Sequence, residues 1–146
     1  PYKHYDSTKV YNFLRSYVVQ TTPGTSFNYS NLGFGVAGLI LERTYKKSYE
    51  ELVVEKIAQP LGMSSTKVNL SSTERQRLAQ GYDAGGSAVA YWDELAGFRG
   101  AGALRSTMSD MIRFAKAQIN PGNDAVGNML RQSQQITFTS ANNKVA

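Results

Sequence analysis

The apolar residues of this chain recur mostly at helical spacing and predict about five helices. Over residues 7–20 they stand at positions i, i+3, i+4, i+7 and i+8, which places them on one face of a helix. The same period predicts helices over residues 31–45, 48–59 and 107–120, and a weaker one over 124–134. We therefore predict a mainly α fold.

The predicted helix over residues 31–45 is apolar nearly all round until Glu42, so we expect it to be central. It also contains Gly33, Gly35 and Gly38. Each glycine costs up to ~1 kcal/mol relative to alanine in a helix interior. Such a cost is offset when another backbone packs close against the helix, and we expect that here.

The stretch from residue 81 to 105 is rich in glycine and alanine and has no clean period. We predict a long loop there, with at most one short strand near residues 87–92, and a short helical turn within residues 71–79. Loops of this length inside a compact domain are often functional.

Composition narrows the classes of protein. The chain has 146 residues, enough for a single domain with its own core, and no cysteine, which excludes disulfides, thiolate metal sites and a cysteine nucleophile. No apolar run reaches the ~20 residues that span a bilayer. The net charge of +5 is dispersed, because the longest basic run is Lys46-Lys47 with Glu42 and Glu50 close by. We expect no nucleic-acid partner, since nucleic-acid binders concentrate positive charge on one face.

The segment FNYSNLGFG, residues 27–35, carries the most suggestive chemistry. A tyrosine can act as a base only where cations lower its pKa from ~10. An asparagine two residues on offers an amide that can hold both a lysine and a substrate. The alternative is purely structural: Ser30 or Asn31 caps the following helix and Tyr29 is an apolar anchor.

Several motifs in order resemble the class C β-lactamase family and its relatives, the D-alanyl-D-alanine carboxypeptidases, penicillin-binding proteins and β-lactamase-like esterases. They are a Pro-Gly-Thr turn at residues 23–25, Tyr-x-Asn at 29–31, a glycine-studded helix and a Pro-Leu-Gly-Met stretch at 60–63. A Gly-x-Gly-x-x-Ser-Thr-like segment follows over residues 100–107. The resemblance runs from about residue 8 to about residue 120.

The resemblance implies roles for two residues. Tyr29 would assist proton transfer to and from a serine nucleophile, and Asn31 would hydrogen-bond the amide of the substrate and the catalytic lysine. Ser30 takes the variable middle position, and Gly100–Thr107 would border the cleft. The resemblance further implies a β-lactam or peptidoglycan-peptide substrate, no cofactor or metal, and a location outside the cytoplasm.

Two of the family's three motifs are not found where the family has them. The 28 residues before Tyr29 contain no Ser-x-x-Lys, and no Lys-Thr-Gly follows residue 120. Ser64-Ser65-Thr66-Lys67 matches Ser-x-x-Lys by letter, but it lies after Tyr29 in a polar stretch. We predict that Ser64 is not catalytic and that Lys67 is a solvated surface charge.

Other candidate residues are better explained by structure than by chemistry. His4, the single histidine, lies in a polar N-terminal stretch, so we expect it at the surface. A carboxylate group at Asp83, Asp93 and Glu94 has no helical register, so we interpret these as solvated loop charges. The methionines at positions 108 and 111 belong to an apolar stripe that we expect to pack in the core.

Together these observations predict that residues 1–146 form a single domain, the helical lobe of a longer β-lactamase-like serine hydrolase. That protein would act on β-lactams or D-alanyl peptides through an acyl-serine intermediate, and this lobe would be inactive alone. The apolar surface left uncovered would promote self-association. Two alternatives stay open: a non-catalytic helical binding module, or a parent protein that is an esterase or D-aminopeptidase of the same family.

Overall fold

The computed structural model describes residues 4–91, 96–139 and 144–145, and it is mainly α. The helices are α1 (Ser7–Ser16), α2 (Asn31–Tyr45), α3 (Tyr49–Val53), α4 (Ser72–Arg75), α5 (Arg99–Gly102), α6 (Met108–Ile119) and α7 (Ala125–Ser133), with a π-helical turn (Val54–Ala58) directly after α3. The strands are β1 (Gly81–Tyr82), β2 (Ala88–Val89), β3 (Phe138–Thr139) and β4 (Lys144–Val145). They form two antiparallel pairs, β1 with β2 and β3 with β4. The predicted fold class is confirmed.

Short-range sequence signals set most helix starts. Ser48 caps α3 in a complete capping box with Glu51, as its spacing predicts. Thr107 accepts from the backbone N–H of Asp110 and starts α6 where the period predicts a helix. At α1 the cap is Asp6, whose side chain accepts from the N–H of Lys9.

Three predicted boundaries were wrong. The first helix ends at Ser16 rather than at residue 20, because Tyr17 takes an extended conformation. The predicted helix 48–59 changes from α to π at Val54, where the backbone bonds widen to i→i+5. The predicted loop 81–105 contains the β1–β2 hairpin and the helix α5, so the apolar period is too weak a signal for elements this short. Of the strand expected near 87–92, residue 92 lies outside the described residues.

The core is built where the segment before α5 passes over α2. Val10, Leu39, Phe98 and Ala103 are its buried centre. Two glycines of α2 permit this contact: a Cβ on Gly35 would lie 2.7 Å from the carbonyl oxygen of Gly97, and one on Gly38 would lie 3.1 Å from the backbone nitrogen of Gly100. The expected close approach of another backbone is thus confirmed at two of the three glycines. Gly33 meets only its own cap residue, Ser30.

Two apolar helix faces are more exposed than expected. On α2 the side chains of Phe34, Ile40 and Leu41 are exposed, so this helix is central on one side only. On α6 the expectation of core packing at Met108 and Met111 was wrong, because both are exposed. The helix α6 instead turns Asp110 inward and is held by polar contacts. The expected self-association stays a prediction, and these faces are the surfaces that would mediate it.

None of the described helices is long and apolar enough to cross a bilayer.

Candidate active site

The motif at residues 29–31 lies at the junction between an extended segment and the N-terminus of α2. Ser30 takes a β conformation and its Oγ accepts from the N–H of Gly33 at 3.1 Å, so Ser30 is the N-cap. The structural alternative for this motif therefore applies to its middle residue. The flanking Tyr29 and Asn31 are left to make other contacts.

Tyr29 and Asn31 contact each other directly. The hydroxyl of Tyr29 donates to Oδ1 of Asn31 at 3.0 Å. The tyrosine is 63% exposed, so it is not the packed apolar anchor of the structural alternative. Its ring lies beside that of Phe34, with centroids 5.6 Å apart and planes inclined at 42°. The pair thus presents a phenol oxygen and an amide side by side at the surface.

A groove of about 390 Å³ opens beside this pair. Its lining consists of Phe27, Asn28, Tyr29, Ser30, Gly33, Phe34, Ala37 and Thr137. None of these lining residues is charged. Aromatic rings form much of its wall, and Phe27 is also near Phe138 of β3, with centroids 6.2 Å apart. The groove can accept a substrate, but its walls supply no cation that would lower the pKa of a phenol.

The segment expected to border the cleft, Gly100–Thr107, is fixed from two sides. At its start Gly100 packs on the backbone of α2. Near its end Arg105 forms an antiparallel bridge with Lys67, with backbone N–O distances of 2.8 and 3.0 Å. The guanidinium of Arg105 also donates to the carbonyl oxygen of Val68 at 2.8 Å.

The Ser-x-x-Lys match at residues 64–67 is a structural joint. The backbone N–H of Ser65 and the hydroxyl of Thr66 donate to Oδ2 of Asp110 at 2.8 and 2.9 Å. Asp110 is 1% exposed, and its Oδ1 accepts from Arg113 at 3.1 Å. Sequence reasoning missed this buried carboxylate, and only its inward position on the helix could have signalled it. Ser64 is exposed in a turn, not at the start of an apolar helix, in agreement with the prediction.

The interpretation of Lys67 as a solvated charge was wrong. Its ammonium donates to Oε1 of Glu74 at 2.7 Å, and its side chain is only 27% exposed. This hydrogen bond, followed by the bonds from Ser71, lowers the pKa of Glu74 to about 2. Lys67 is therefore engaged with a carboxylate rather than with Ser64.

The remaining candidates carry no site. His4 is exposed, and its backbone carbonyl accepts from the ammonium of Lys9. Oδ1 of Asp83 accepts from the N–H groups of Gly85 and Ser87 and shapes the turn of the β1–β2 hairpin. Asp93 and Glu94 lie outside the described residues. The described part of the chain contains no group of three histidine, cysteine or acidic residues that could hold a metal.

Comparison with known proteins agrees with this arrangement. A family model described as beta-lactamase matches residues 1–144. A human beta-lactamase-like protein is 33% identical over 112 residues, and a beta-lactamase of Yersinia enterocolitica is 27% identical over 138 residues. These matches cover 76% and 91% of this chain, but 22% and 35% of the relatives.

Solved structures give the same result. A beta-lactamase/D-alanine carboxypeptidase of Pseudomonas syringae superimposes with a TM-score of 0.77 at 27% identity. The match covers 93% of this chain and 38% of that protein. The chain therefore spans little more than a third of the length of these relatives.

Proposed function

The chain belongs to the beta-lactamase family, and on that premise we propose that it supplies the Tyr-x-Asn motif of a serine hydrolase. The proposed substrates are β-lactams or D-alanyl peptides, which such an enzyme opens through an acyl-serine intermediate. One observation carries the proposal: Tyr29 and Asn31 are joined at 3.0 Å beside an open groove, while Ser30 alone performs the capping.

The proposed role of Tyr29 is to move a proton. In acylation its oxygen accepts the proton of the serine hydroxyl as that oxygen attacks the substrate carbonyl, and the proton passes to the departing amine nitrogen. In deacylation the same oxygen takes a proton from water and returns it to the serine. Asn31 donates through its amide to the carbonyl of the substrate and orients it.

Two parts of this chemistry must come from outside the described residues of this chain. The first is the serine nucleophile, since Ser64 lies in a turn and its neighbours are bound to Asp110. The second is positive charge beside Tyr29, since the lining of the groove is uncharged. We therefore propose that the isolated chain is inactive and that the enzyme works outside the cytoplasm, where the proposed substrates occur.

A chimera tests this proposal directly. The 146-residue chain would replace the matching 38% of the Pseudomonas syringae protein, which supplies the rest of the fold. Intact-mass spectrometry after incubation with a reporter penicillin should show a stoichiometric adduct on the chimera and none on the isolated chain. Tyr29→Phe in the chimera should slow acylation about 100-fold or more, the range of general acid–base catalysis.

Two further variants complete the test. Asn31→Ala should slow acylation about tenfold through the loss of one hydrogen bond to the substrate. Ser64→Ala is the matched control and should leave the rate unchanged. An adduct on Ser64 of the isolated chain, or an unaltered acylation rate in Tyr29→Phe, would contradict the proposal.

A further inference from the structure

The ring of Tyr29 has little support from the rest of the described chain. Its hydroxyl donates to Asn31, and its ring lies against the ring of Phe34. The hydrogen bond holds only the end of the side chain, so the ring could still turn about its first side-chain torsion. Phe34 is therefore the described group best placed to restrict that rotation, because it contacts the flank of the ring.

The backbone holds Phe34 in a fixed position. Its N–H donates to the carbonyl of Ser30 at 3.1 Å, which closes the first turn of α2. Its own carbonyl lies so close to Gly100 that a Cβ on that glycine would overlap the oxygen. The side chain itself is 52% exposed, so it contributes little to the core. A fixed backbone with an exposed aromatic ring aimed at Tyr29 is more than folding of this helix requires.

From this geometry we infer that Phe34 is a positioning residue, which holds the phenol of Tyr29 in the orientation that proton transfer needs. The inference rests on the role proposed above for Tyr29. An inclined aromatic pair at this separation is an attractive arrangement. Removing one ring should let Tyr29 sample other rotamers, so that a smaller fraction of molecules is ready to react.

The first test uses the 146-residue chain and needs no activity. Three-bond couplings in nuclear magnetic resonance report the first side-chain torsion of Tyr29. We expect one rotamer in the unsubstituted chain, averaging among rotamers in Phe34→Leu, and one rotamer again in Phe34→Tyr, which restores a ring. The amide signals of Gly33 and Gly38 should not move, which separates a positioning effect from a loss of helix structure.

A matched control exists on α1. Phe13 stacks on Tyr17 with centroids 5.2 Å apart, so Phe13→Leu removes a similar aromatic pair elsewhere. It should leave the rotamer of Tyr29 unchanged. A single Tyr29 rotamer in Phe34→Leu would overturn the inference, whatever the chimera does.

The second test uses the chimera. Phe34→Leu should lower the acylation rate constant about three- to tenfold, the scale of an aromatic pair, with the dissociation constant for the penicillin unchanged. In a Tyr29→Phe background the same substitution should have no further effect. A full effect in that background would overturn the positioning role. No effect of Tyr29→Phe itself would instead overturn the proposed function.

Discussion

The two polar motifs of this chain, residues 29–31 and residues 64–67, use their polar groups in opposite ways. In the first, one residue caps the helix and the other two face a groove. In the second, the groups bind inward: Ser65 and Thr66 to Asp110, and Lys67 to Glu74. A motif can do chemistry only if its neighbours leave its polar atoms available to a substrate, and that condition separates these two.

Removing the carboxylate of Asp110 should have the largest effect on this contrast, because it is the centre of the inward-facing motif. Asp110→Asn keeps the shape but loses the charge that accepts from Ser65, Thr66 and Arg113. An amide N–H₂ would then face another donor inside the protein. We expect the free energy of unfolding to fall by about 3 kcal/mol, as for other broken buried charge networks.

Urea denaturation measures this loss. Ser109→Ala, at an exposed position on the same helix, is the control and should stay within about 0.5 kcal/mol of the unsubstituted chain. If Asp110→Asn cost less than about 1 kcal/mol, residues 64–67 would not be the structural joint described here.

Alanine at Gly100 should have the next largest effect, and it acts on the site motif. The added methyl group would overlap the carbonyl oxygen of Phe34 and push α5 away from α2. We expect a loss of about 2 kcal/mol in the free energy of unfolding, typical of overpacking. The same substitution should also disturb Tyr29 through Phe34.

Gly102 is the matched control for that prediction. It lies in the same short helix, but a Cβ built there meets nothing within 4 Å. Gly102→Ala should therefore be neutral or stabilise the fold by up to about 1 kcal/mol. Equal losses at both glycines would show that helix α5, not its contact with α2, is what the substitutions disturb.

These contrasts also explain how much the sequence could predict. Caps and capping boxes were predictable because their partners lie three residues apart, as with Ser48 and Glu51. The contact between Tyr29 and Asn31 was within reach for the same reason. The glycines at positions 35 and 38 indicated a close backbone, although not which one.

Long-range partners were not predictable from periodicity. Asp110 bonds to residues 44 and 45 positions away, and nothing local distinguishes it from a solvated acid in the first turn of a helix. The stripe with Met108 has a regular helical period yet is exposed. A period shows that a helix has an apolar face, but not that the described chain covers it.

The smallest expected effect concerns Lys67 and pH, and it sharpens the distinction between the motifs. Lys67 is the main cause that lowers the pKa of Glu74 from 4.5 to about 2. A carboxyl group with a lowered pKa stabilises the folded state at pH values above its unfolded pKa. That contribution is lost as the pH falls from about 4.5 toward 2 and the group is protonated.

Lys67→Met should therefore reduce stability slightly near neutral pH, and the difference from the unsubstituted chain should shrink between pH 4.5 and pH 2. Thermal unfolding at a series of pH values measures this. Lys116→Met, at an exposed lysine of α6 with no ion pair in the described part of the chain, should show no such convergence. A difference that persisted at pH 2 would separate Lys67 from Glu74. Because a lysine committed to a carboxylate is a poor base for Ser64, convergence would strengthen the case that residues 29–31 alone face the substrate.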